Sequence, residues 1–132
     1  MSQKQLAYDN PTYLTVQGLP TGQINGNAGT STKFAAFLDM KIKAVTLKPT
    51  TANTSADVVN VVSISGTTTT TTAYGTFGSG ATTGTSITPT AATSQVSLSQ
   101  GDSFYVQKGT DATGTYVGMI EYVVQPSANP TV

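Results

Sequence analysis

Hydrophobic positions in this chain recur mostly in twos. From Val96 to Val124 the sequence reads as three short strands joined by two turns. Val96 and Leu98 alternate with serines, Gln100-Gly101-Asp102 interrupts, and Phe104 and Val106 resume the alternation. The loop Lys108-Gly109-Thr110-Asp111-Ala112-Thr113-Gly114 leads into a long strand from Thr115 to Val124. Period-two alternation bounded by Gly and Asp is the mark of antiparallel β-structure. In the last strand Tyr116, Gly118, Ile120, Tyr122 and Val124 share one face. Glu121 lies on the other face with Val117, Met119 and Val123, which assigns Ile120, Tyr122 and Val124 to the core.

The same rule extends upstream. In the stretch Lys33–Lys48, Phe34, Ala36 and Leu38 alternate with Ala35 and Phe37. Ile42 and Ala44 then share one face, Val45 and Leu47 the other, so the inward face switches near Ala44. A β-bulge there, which adds one residue and re-phases the alternation, reconciles the two halves. A helix over 33–44 competes, because Phe34, Phe37, Leu38 and Lys41 have helical spacing. Asp57–Ser65 carries Val58, Val62 and Ile64 on one face and Val59 and Val61 on the other, which points to burial on two sides or to a contact surface. After Gly66, Thr67–Phe77 reads as a polar edge strand ending in Tyr74 and Phe77; threonine suits a pleated surface. A short extended piece is centred on Ile87.

About eight short strands at this spacing, with no strong helix, predict an all-β antiparallel sandwich, a jelly roll or related Greek key, over residues 32–125. Residues 1–31 carry Asn10-Pro11, Leu19-Pro20 and glycines at 18, 22, 26 and 29. Such punctuation predicts an extended N-terminal arm with one plausible strand at Thr12–Val16. Two readings are open: a loose terminus, or an arm that lies along a neighbouring subunit with Tyr8, Tyr13, Leu14 and Ile24 as its candidate capsid or subunit contacts. Residues 126–132 form a Pro-punctuated tail.

Composition narrows the function. Charged residues are 9% of the chain, against roughly 25% in ordinary globular proteins. Six lysines balance five aspartates and one glutamate, arginine is absent, and the net charge is zero. That argues against a nucleic-acid partner, which needs a basic patch. A near-zero net charge with a hydroxyl-rich surface reads either as a neutral, inert exterior or as a protein that belongs in an assembly. No apolar run approaches a membrane span of roughly 20 residues. The N-terminus lacks the apolar core of a secretory signal, so synthesis in a cytoplasm is expected.

With no His and no Cys, neither a Ser/His or Cys/His nucleophile pair nor a zinc site of the usual kind can be built. Asp9, Asp39, Asp57, Asp102, Asp111 and Glu121 remain as candidate acid–base groups. Asp102 and Asp111 stand in Gly-flanked turns, where Asp is expected for backbone reasons, so no catalytic residue is assigned. The 109–114 loop offers one carboxylate, too few for calcium, so it is read as a plain turn with no metal or other cofactor. Tyr74, Phe77 and Tyr105 form a candidate glycan platform, with core or subunit-interface packing as their competing role.

The segments Phe34–Phe37, Asp39-Met40-Lys41-Ile42-Lys43-Ala44-Val45, Val58–Ile64 with Gly66, Leu98-Ser99-Gln100-Gly101-Asp102 and the closing Tyr116–Val124 strand together resemble small β-sandwich modules of tailed-bacteriophage virions. These modules occur as capsid decoration (cement) proteins and in head or tail fibres. The resemblance covers roughly residues 32–125 and rests on strand order and turn placement. It implies a non-enzymatic protein on the virion surface, made in the host cytoplasm, a homotrimer by analogy, whose partner is the major capsid protein. The alternative it leaves is a fibre or adhesin module that binds host-surface glycan.

Overall fold

The computed structural model describes residues 16–25, 28–52, 55–78, 85–87, 94–110 and 114–125. They form nine strands and no helix: β1 (Gln17–Pro20), β2 (Phe34–Ala35), β3 (Met40–Thr51), β4 (Asp57–Ser65), β5 (Thr68–Phe77), β6 (Thr85–Ile87), β7 (Ser97–Leu98), β8 (Ser103–Lys108) and β9 (Thr115–Val124). Two antiparallel sheets result. One has the order β1-β9-β3-β6, with β7 also paired to β3, and the other the order β2-β8-β4-β5.

The chain runs out through β1–β4 and back through β5–β9. On the way back β5 pairs β4, β6 and β7 share the free side of β3, β8 pairs β2, and β9 pairs β1. The long hairpin is then rolled, so that β9 also pairs β3 and β8 also pairs β4. Its tip is the two-residue loop Gly66-Thr67 between the partners Ser65 and Thr68. Gly66 has φ 59° and Thr67 does not enter the left-handed region, the pattern of a type II′ turn.

The inward faces of the two sheets make one core. Met40 and Ile42 point into it from the start of β3, Val45 and Leu47 from its second half. Between them the partner register jumps from Ile42↔Tyr122 to Ala44↔Glu121, which leaves Lys43 as the extra residue. This is the bulge that the phase switch near Ala44 predicts. The helical alternative over 33–44 is not adopted: β2, a bend at 37–39 and the start of β3 occupy it. Tyr116, Ile120 and Tyr122 are buried and Val117 and Met119 exposed, as the alternation on β9 requires.

A second bulge lies in β5. Val59 faces Gly75 and Asn60 faces Ala73, so Tyr74 is the extra residue. Tyr74 and Phe77, three apart, therefore both turn inward.

The described residues of the stretch 17–31, expected as arm, belong to the sandwich. β1 is the edge strand beside β9, the Thr21 N–H donates to the Gly118 carbonyl at 2.9 Å, and Ile24 bridges Tyr116. The chain then crosses to the other sheet. Ala28 and Ser31 donate to the carbonyls of Gly109 and Val106, and the Lys108 N–H donates to Gly29. Residues 17–25 and 28–35 thus close one side of both sheets. Punctuation by Gly and Pro bars a long strand but not an edge segment that needs only a few ladder bonds. Ile24→Ala should lower unfolding stability by about 2–5 kcal/mol in denaturant titration. Val16→Ala, at a position 51% exposed, should change it by less than about 0.5 kcal/mol.

Candidate functional site

Period two places two opposite charges inside the sandwich. Asp57 shares its face of β4 with Val59 and Val61, and Lys108 shares its face of β8 with Phe104 and Val106. Val59 and Lys108 are direct cross-strand partners, so Asp57 is the diagonal neighbour, within reach of a long side chain. Both side chains are 0% exposed, and Lys108 Nζ lies 3.6 Å from Asp57 Oδ2. Lys108 Nζ also donates to the Gly114 carbonyl at 2.6 Å and sits 5.3 Å from the centre of the Tyr116 ring. The Tyr116 hydroxyl donates to Asp57 Oδ2 at 3.4 Å. Phe77, the β5 partner of Asp57, stacks on Tyr116 with ring centres 5.0 Å apart. Asp57 Oδ1 is buried without a hydrogen-bond partner. The wall beside it is backbone: a Cβ added at Gly109 would stand 2.9 Å from that oxygen.

A second buried polar junction is built on Tyr74. Its hydroxyl donates to the Ile42 carbonyl at 2.9 Å and accepts the Val96 N–H at 2.7 Å. It therefore ties β5 to the β3 bulge and to the entry of β7. Burial pushes the Tyr74 phenol from 10.0 up to about 12, a rise that the hydrogen bond from Val96 partly opposes.

Of the other described carboxylates, two serve the backbone and one a hydroxyl. Asp39 Oδ1 accepts the Gln100 N–H at 3.0 Å and Asp102 Oδ2 accepts the Ser99 N–H at 2.9 Å, so both brace the turn at 99–102. Glu121 accepts the Thr46 hydroxyl at 3.2 Å. Among the described residues no group of three or more Asp or Glu is arranged to hold a metal. In the loop first weighed for calcium, the Gly114 carbonyl is taken by Lys108, and Asp111 lies outside the described residues.

The candidate glycan platform is not present as such. Tyr74 is 1% and Phe77 2% exposed, both in the core, because the β5 bulge turns them inward. Tyr105 alone is partly open, with Lys33 Nζ 5.1 Å from its ring centre. The candidate contact Ile24 is 0% exposed inside its own domain, which removes it as an anchor on a neighbour. Tyr8, Tyr13 and Leu14, like Asp9, lie outside the described residues. No protein-family model and no curated protein matches this chain.

Open surface is found elsewhere. Thr68–Thr71 on β5 are exposed, and among the described residues that strand pairs only with β4 in its own sheet. On the outer face of the other sheet Val117 is 37% and Met119 44% exposed.

From the sequence, Lys108 reads as the start of a loop and Asp57 as a strand opener among six candidate acid–base groups, with neither expected in the core. The available signal was parity: each charge falls on the face that its own strand buries.

Below pH 10 Tyr74 is protonated in both the folded and unfolded chain. Between pH 10 and about 12 the unfolded chain loses this proton first and is stabilised relative to the folded one. Stability should therefore fall across that window, and Tyr74→Phe should flatten the fall while costing about 1–3 kcal/mol at neutral pH. Denaturant titrations of both proteins at several pH values read both effects.

Proposed function

We propose that this chain is a structural, non-catalytic protein of a virion: a decoration (cement) protein that binds the outer surface of a tailed-bacteriophage capsid and stabilises it. The observation that carries the reading is the contrast between the acidic groups and the open edge. The acidic side chains of the described residues engage the backbone, a hydroxyl or the buried lysine, while β5 presents an uncharged, exposed threonine row on what is, among the described residues, the edge of its sheet. Monomeric sandwiches guard such edges with lysine, proline or short strands. Thr68–Thr71 offer none of these guards, and an edge of this kind takes a strand from another chain.

The winding of the sandwich supports the same family of modules. We read the orders β1-β9-β3-β6 and β2-β8-β4-β5 as jelly-roll winding, with β6 and β7 sharing one strand position. The major capsid protein is the proposed partner and a homotrimer the proposed state, the count of three resting on family resemblance alone. Residues 1–15 are the proposed attachment segment, since Gln17–Pro20, within the stretch first expected as arm, pairs with β9. A neutral, hydroxyl-rich clamp adds modest buried area per copy, and symmetric repetition sums it over the shell.

The experiment is co-sedimentation of the purified chain with capsids stripped of it. Saturable binding at a fixed ratio to the major subunit, with raised thermal resistance of the shell, is expected. Absence of binding would overturn the reading. Removal of residues 1–15 should weaken binding at least about tenfold, ~1.4 kcal/mol. Thr69→Lys with Thr71→Lys, which guards the β5 edge, should weaken it while leaving the melting temperature within a few degrees.

A further inference from the structure

We infer that Lys108 and Asp57 are joined in the mature protein by an amide bond between side chains, formed by the fold itself. The proposal is independent of the shell-binding reading.

The contact between them is a poor ion pair. A charge-assisted N–H···O bond runs about 2.7–2.9 Å, whereas Lys108 Nζ and Asp57 Oδ2 stand 3.6 Å apart. A buried pair is tolerated when its remaining lone pairs are satisfied, yet Asp57 Oδ1 has no partner. Both side chains are sealed at 0% exposure. Two full charges held this way are costly, and an amide with one N–H and one C=O is not. The reactants are also already in place. Lys108 Nζ is anchored by the Gly114 carbonyl at 2.6 Å and by the face of Tyr116, and Asp57 stands at the start of β4 against Gly109. Positioning of this kind replaces a high concentration of reactant.

The step balances within the pair. One ammonium proton passes from Nζ to the carboxylate and rests on Oδ1, which leaves a neutral amine and a neutral acid. Nζ attacks Cγ, and the Nζ–Cγ bond forms. The Tyr116 hydroxyl donates to Oδ2 and stabilises the charge that develops there. A second proton moves from nitrogen to the Oδ1 hydroxyl, the Cγ–Oδ1 bond breaks and one water leaves. Nothing is oxidised or reduced, and no co-reactant is consumed.

The test is the intact mass of the purified full chain, measured after unfolding, followed by peptide mapping. The expected mass is one water below that of the sequence, with a branched peptide joining the segments that carry Asp57 and Lys108. Lys108→Arg, which keeps the charge but cannot form this bond, should return to full sequence mass. A wild-type chain at full sequence mass would overturn the proposal, and so would a deficit that maps elsewhere or persists in Lys108→Arg. The branched peptide is read on the wild-type chain, so the answer does not depend on the variant's folding.

Discussion

The long ladder between β3 and β9 is the constraint on which the rest of the sandwich depends. It runs from Met40↔Val124 to Thr51↔Thr115 and joins the outward and returning halves of the chain. Its closeness is set by Gly118, where any Cβ would run into the Thr46 carbonyl and the Leu47 Cα. β1 adds to the far side of β9, and β6 and β7 to the far side of β3. The extra residue Lys43 lets one strand of twelve residues serve the core at both ends, and the buried Tyr74 hydroxyl binds the carbonyl of Ile42 beside that bulge. A sandwich whose core is held this way has little need of surface charge, which fits a chain with only 9% charged residues.

Much of this was legible in the sequence wherever apolar residues marked the phase. The bulge near Ala44 follows from Ile42 and Val45 both being core residues on opposite parities, and the inward face of β9 follows from Glu121. The bulge at Tyr74 was not legible. Threonines at 67–72 have no preferred face, so nothing upstream fixes the phase with which Tyr74 and Phe77 enter, and two core aromatics could be taken for a sugar platform. Residues 17–31 misled for a different reason. Their glycines and prolines describe a chain that bends often, and an edge segment that crosses from one sheet to the other does bend often. Only the isolated Leu19 and Ile24 hinted that it packs.

The buried Asp57–Lys108 contact shows the limit of composition as a guide. So few charges are present that each is expected at the surface, yet one of each sign sits at 0% exposure at the same end of the core. Tyr116 and Phe77 stack over this contact, and the Gly114 carbonyl draws the far end of the 109–114 loop onto it. One end of the sandwich is thereby braced from β4, β5, β8 and β9 together. The exposed threonines Thr68–Thr71 stand at the opposite, hairpin end of β5 from this braced end.

The central claim is that the chain is a stoichiometric part of a virion surface. The most direct measurement is the quantity of this chain in purified phage particles, relative to the major capsid subunit. The account predicts a fixed ratio set by the symmetry of the shell, unchanged from one preparation to the next. Purified particles that lack the chain, or carry it in variable trace amounts, would contradict it.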